Sequence, residues 1–150
     1  MKIKLAISKD RTAEVQDALI ALGIEIDDNA DLVLSESNRF ADSLLVRLPE
    51  SNERVVLSAD EIVLIETYGH MVEVHTQSQT HQATDRLYKL INLLDPDKFL
   101  RVSNSCVIAR DKVKHIVPTI SMKFVLTMTN NRKVDVTRSY YYIFKEYFGI

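Results

Sequence analysis

At 150 residues, with 46% hydrophobic and 27% charged side chains, the chain holds one ordinary domain or a small domain with an appendage. Three glycines and three prolines exclude long low-complexity linkers, and no apolar run nears the roughly 18–20 residues that span a bilayer. The net charge of −2 argues against a uniformly basic nucleic-acid binder.

Ile3, Leu5 and Ile7 alternate with Lys2, Lys4 and Ala6, the pattern of a half-buried strand and not of a signal peptide, so a cytoplasmic protein is expected. Ser8-Lys9-Asp10 offers capping oxygens to a helix whose apolar stripe is Val15, Leu19 and Leu22. Gly23 is placed to end that helix in the left-handed conformation. Short strands are predicted at Ile24–Ile26, Leu32–Leu34 and Leu44–Leu48. The polar run from Pro49 to Glu53 breaks the pattern, which predicts a small α/β unit over 1–53 and a second domain over 54–150.

Strands dominate the second region. Val55–Leu57, Ile62–Thr67, Met71–Thr76, Val102–Ile108, His115–Val117, Lys123–Met128 and Lys133–Thr137 are predicted, with Asn130-Asn131 as the last hairpin turn. Helical periodicity appears twice, at Leu87, Leu90, Ile91 and Leu94 before Asp95-Pro96, and at Tyr140, Ile143, Phe144 and Tyr147. Both stripes are read as core contacts.

Charge divides unevenly along the chain. Residues 1–53 hold six Lys and Arg against eleven Asp and Glu, and residues 54–150 hold thirteen against ten. Five basic residues and only Asp111 lie between Lys98 and Lys114. Such asymmetry is more informative than the total, although a solvated loop face would carry the same charges.

No catalytic constellation is recognised. Asp60 and Glu61 are neighbours on an extended chain and point apart. His75 and His81 lack partners at ligand spacing, and no nucleophile elbow or phosphate-cradling loop is present. Neither an enzyme nor a cofactor or metal is expected. The lone Cys106 lies in an apolar run and is read as a buried small hydrophobe. What stands out is polar groups beside β-forming runs: Arg101 and Asn104 in the segment from Phe99 to Ile108, and Arg138 after the strand from Lys133. Arginine and asparagine are the side chains that pair with guanine and adenine edges. His70, after Tyr68-Gly69 between two strands, adds a third group, otherwise readable as an ordinary turn residue.

Four blocks in this order resemble the LytTR-type DNA-binding domain of bacterial transcription regulators. They are Ile62-Val63-Leu64-Ile65-Glu66 with its turn to His70, the helix from Leu87 to Leu94 leading to Phe99, Phe99-Leu100-Arg101-Val102-Ser103-Asn104-Ser105, and Val134-Asp135-Val136-Thr137-Arg138 with Tyr140. The resemblance covers about two thirds of the chain, and its third and fourth blocks are moderately specific. It implies an α+β, predominantly β fold of stacked antiparallel sheets with short helices, set beside the small N-terminal α/β unit. It further implies a sequence-specific transcription regulator reading the major groove of duplex DNA through loops. The family's base-contacting positions carry over to His70, Asn104 and Arg138. Arg101, Arg110, Lys112 and Lys114 are the expected phosphate contacts.

This sequence departs from the family pattern at Cys106 and Ala109, where relatives often carry an aromatic and an asparagine, and at Ser103, where some carry a histidine. The departure at Ala109 bears on the turn through Arg110-Asp111-Lys112 and so on the phosphate contacts. The unit over 1–53 is too short for a phosphoacceptor receiver and has no acidic pair after Ile7. Self-association or binding of a regulator, such as a membrane protein, is expected of it instead, with two protomers on tandem sites bending the DNA. The rival reading is an interaction or antagonist module that kept the fold without DNA binding.

Overall fold

The computed structural model describes residues 1–36 and 40–150, and the chain forms two compact units, Met1–Arg39 and Phe40–Ile150. Among the described residues no helix is long and apolar enough to cross a membrane.

The first unit contains β1 (Lys2–Ala6), α1 (Lys9–Ala21), β2 (Glu25–Ile26) and β3 (Leu32–Ser35). They form a parallel three-stranded sheet in the order β2-β1-β3. Gly23 ends the helix region at a φ of 80°, and its N–H donates to the Ile20 carbonyl, as its lack of a β-carbon permits. The expected side-chain cap at Ser8 does not form. Ser8 stands at the N-cap with extended backbone, but its N–H and Oγ both donate to Glu36 Oε1, at 2.8 and 2.7 Å. Oγ is directed to the carboxylate, to which it donates the stronger, charge-assisted hydrogen bond, and accepts from no helix amide. These bonds hold the Glu36 carboxyl below its ordinary range.

The second unit is predominantly β. Its strands are β4 (Ser43–Arg47), β5 (Arg54–Ser58), β6 (Leu64–Tyr68), β7 (Met71–His75), β8 (Thr80–Ala83), β9 (Phe99–Ser103), β10 (Cys106–Ala109), β11 (Val113–Pro118), β12 (Phe124–Met128) and β13 (Lys133–Val136). Its helices are α2 (Leu87–Leu93) and α3 (Tyr141–Phe148). Seven strands form an antiparallel sheet in the order β5-β4-β8-β7-β6-β10-β9, and three form another, β11-β12-β13.

The strand over 43–47, grouped at the sequence level with the N-terminal unit, is therefore a member of the large sheet, paired with β5 from Ser43–Ser58 to Arg47–Arg54. Local alternation identifies a strand but not the partner that completes its hydrogen bonds. β8 was not anticipated, because Thr80-His81-Gln82-Ala83 carries no apolar alternation. The single strand expected over Val102–Ile108 is two strands, turned at Asn104-Ser105 and carrying a register shift between Cys106 and Val107.

Period-two geometry builds two cores from the central strands. In β10, Val107 and Ala109 join the first core, with Leu44, Val46, Val72 and Val74 of the same sheet and Leu87, Leu90 and Leu94 in and after α2. Cys106 and Ile108 face the other way, into the second core, where they meet Phe124, Leu126, Met128, Val134 and Val136 of the small sheet. The two sheets are thus stacked across this second core. Phe144 anchors α3 in it, with its ring centroid 5.0 Å from that of Phe124, which also stacks on Tyr141 at 4.9 Å. Cys106 is buried as expected, and burial pushes its thiol up to about 12.

Candidate functional site

Three connections converge at one end of the stacked sheets. The β6–β7 turn holds Gly69 and His70, the β9–β10 turn holds Asn104 and Ser105, and a single 3-10 turn over Arg138–Tyr140 follows β13. Antiparallel register sets the first two side by side, since Cys106 pairs with Glu66, and the Thr67 N–H donates to the Ser105 carbonyl at 2.9 Å. The third is tied to them by the Thr137 N–H, which donates to the Val102 carbonyl at 3.0 Å. Tyr140 then donates its hydroxyl to Asn104 Oδ1 at 3.1 Å. Of the seven residues expected to touch DNA, His70, Asn104 and Arg138 lie on these three connections, and Arg101 lies on the strand leading into the second.

All three are exposed. Among the described residues, neither the His70 ring nor the Arg138 guanidinium has a side-chain hydrogen bond or ion pair, so their donors are available to a partner. Asn104 is oriented. With Oδ1 accepting from Tyr140, its amide NH2 keeps both donors. The turn that carries it is built by neighbours: Ser105 N–H donates to Ser103 Oγ at 3.2 Å, and Arg101 reaches over the turn. Arg101 Nε donates to the Ser103 carbonyl at 3.0 Å and Nη2 to the Asn104 carbonyl at 2.6 Å. The half-buried Arg101 is therefore a clamp on the turn beside it.

The other basic candidates lie elsewhere. Arg110 and Lys112 occupy a single 3-10 turn after β10, at the opposite end of that strand from Asn104, and Lys114 is in β11 beside it. The four residues of β10 separate the two ends by about 13 Å. The Arg110 guanidinium lies over the Tyr147 ring, 5.0 Å from its centroid, and 5.7 Å from that of Phe148. Ala109 precedes this turn without a side-chain cap, where an asparagine would supply one. Lys123, not among the residues expected from the sequence, is exposed at the same end as Arg138, because Phe124 pairs with Val136 just before Arg138. Only that cross-strand register reveals it.

Beneath the His70 hairpin lies a network that chain spacing conceals. Cross-strand pairing sets Glu66 against Glu73 and Leu64 against His75. The buried His75 Nε2 is 2.9 Å from Glu66 Oε1 and 3.3 Å from Glu73 Oε2, while Nδ1 is 3.0 Å from Thr80 Oγ1. Tyr68 Oη and Arg132 Nη1 also donate to Glu66 Oε1, at 2.9 and 3.0 Å. Burial pushes the His75 imidazole below its ordinary range and Arg132 acts the same way, against the two carboxylates. A neutral ring donating from Nε2 and accepting at Nδ1 from the Thr80 hydroxyl satisfies every contact. Glu66, Glu73 and His75 are also the group among the described residues whose ligand atoms, all within 4.8 Å, could hold a metal ion, with Arg132 supplying the positive charge. The network braces the strands that present His70.

Comparison with known proteins bears on the family and the fold. The family model of the LytTr DNA-binding domain matches residues 52–149. Transcriptional regulatory protein LytR of Staphylococcus aureus (strain N315) is 25% identical over 150 residues, covering 99% of this chain and 56% of that protein. Sensory transduction protein LytT of Bacillus subtilis (strain 168) is 27% identical over 112 residues, 75% of this chain and 46% of that protein. The chain thus spans about half the length of these relatives. The fold matches the LytTr DNA-binding domain of a putative methyl-accepting/DNA response regulator from Bacillus cereus, with a TM-score of 0.68 and 21% identity over 73% of this chain and 99% of that one.

Proposed function

Because this chain belongs to the LytTr DNA-binding domain family, we propose that it is a transcription regulator that binds duplex DNA sequence-specifically, without catalysis, and reads the major groove from the turns at His70, Asn104 and Arg138. The observation that carries this reading is the convergence of those three exposed polar side chains on one end of the stacked sheets, across more than sixty positions of sequence. In it, Arg138 donates to guanine O6 and N7, Asn104 contacts adenine, and His70 supplies one donor or acceptor. Arg101 acts chiefly through the Asn104 turn. Arg110, Lys112 and Lys114, at the far end of β10, are proposed to meet phosphates flanking the read bases, and Lys123 a phosphate beside Arg138.

The N-terminal unit is proposed to mediate association, with itself or with a regulator such as a membrane protein, for which the exposed Leu32, Val33 and Leu34 of β3 offer apolar surface. Two copies would then occupy tandem sites on the DNA. Selection from a random duplex pool, followed by anisotropy titrations at two salt concentrations, tests the central proposal. A defined consensus bound more tightly than random DNA, with affinity falling as salt rises, is the expected result. Absent or salt-insensitive binding would favour an interaction module that retains the fold alone.

A further inference from the structure

The β11–β12 turn, Thr119 to Met122, is built to hold an apolar side chain in water. Three contacts lock it: the Thr119 N–H and Oγ1 donate to the Lys123 carbonyl at 2.9 and 3.0 Å, and Thr119 Oγ1 lies 3.3 Å from Ser121 Oγ. Met122 has a φ of 58°, in the left-handed region that residues with a β-carbon seldom occupy. Strain of this kind persists where surrounding structure enforces it, and it clusters at ligand-contacting sites. The result is a rigid tip on which Ile120 is fully exposed, with Val117 and Met122 also exposed nearby. Folding gains nothing from these side chains in solvent.

Register fixes where the tip points. Pro118 pairs with Phe124, and Phe124 with Val136, so the turn lies at the end of the small sheet from which Arg138 leaves β13. Strands about 5 Å apart put the tip within roughly 10 Å of the Arg138 backbone. A major groove is about 12 Å wide, so a groove that admits Arg138 also meets Ile120. The apolar group such a groove offers is the thymine C5-methyl.

We propose that Ile120 reads a thymine C5-methyl in the major groove that Arg138 enters. This assignment rests on the DNA-reading function proposed above. It is tested with the full chain and its selected duplex, replacing each thymine in turn by deoxyuridine, which lacks only that methyl. For the wild type, one replacement is expected to weaken binding roughly fourfold, the factor for one buried methyl. Ile120→Ala should bind the unmodified duplex several-fold more weakly and be indifferent to the same replacement. Arg138→Ala should retain the methyl penalty. A wild type that tolerates deoxyuridine at every position, or an equal penalty in wild type and Ile120→Ala, overturns the assignment while leaving the DNA-reading function standing. Uniform weakening of Ile120→Ala across all duplexes would move the contact to sugar or protein, and also overturns it. If the wild type shows no preference for its selected duplex, both proposals fall together.

Discussion

Replacing Arg101 by methionine separates the phosphate contact expected from the sequence from the turn clamp formed by its hydrogen bonds. The change keeps much of the stem and removes the guanidinium, and with it the hydrogen bonds to the Ser103 and Asn104 carbonyls at 3.0 and 2.6 Å. Hydrogen bonds from charged donors contribute about 1.5–3 kcal/mol each when well buried. Arg101 is half-buried and the freed carbonyls can rehydrate, so about 1 kcal/mol per bond, or roughly 2 kcal/mol in all, is the fitting magnitude. For a domain of about a hundred residues that loss lowers Tm by on the order of 8 °C. Loosening the turn also frees Asn104, so preference for the selected duplex should fall while the salt slope of binding stays as in the wild type. Calorimetry and anisotropy titrations between 50 and 200 mM salt measure both. Unchanged Tm with a slope reduced by about 0.9 would make Arg101 a phosphate contact and refute the clamp.

The remaining predictions concern Arg138, the buried His75 and the buried Cys106. Arg138→Ala should weaken specific binding by about 1–3 kcal/mol and relax preference at one base position, and equal losses on specific and random DNA would contradict a reading role. His75 has its folded pKa depressed below 6.5, so the unfolded chain takes up a proton that the folded one refuses. Stability should therefore be whole above about pH 6.5 and decline as pH falls below it. Urea midpoints at pH 7.5 and 5.5 measure this, and a His75→Leu variant with the same decline would place the effect elsewhere. Cys106, with its thiol near 12, should react with iodoacetamide at pH 8 on the order of a thousandfold more slowly folded than in urea. Rapid labelling of the folded chain would show that the second core opens.

Much of this protein was legible residue by residue. Most strands of the second unit, though not β8 or the division between β9 and β10, the helix stop at Asp95-Pro96, the Asn130-Asn131 turn and the buried Cys106 follow from alternation, turn chemistry and apolar runs. These are local properties, set within a few residues by side-chain direction and backbone sterics. His70, Asn104 and Arg138 were likewise identifiable, as polar side chains where strands end, with a family pattern to align them. What chain order did not contain is which turn lies beside which. The convergence of residues 70, 104 and 138 depends on β10 pairing with β6 and on Thr137 meeting Val102, and the same pairings carry Arg110 and Lys112 to the opposite end. Arg101 turning back onto its own hairpin, the Glu66–His75 network, the place of β4 in the large sheet and the β11–β12 turn at Arg138's end of the small sheet are decided the same way. Each rests on hydrogen-bond register between segments distant in sequence, which the whole packed structure selects and no local pattern encodes.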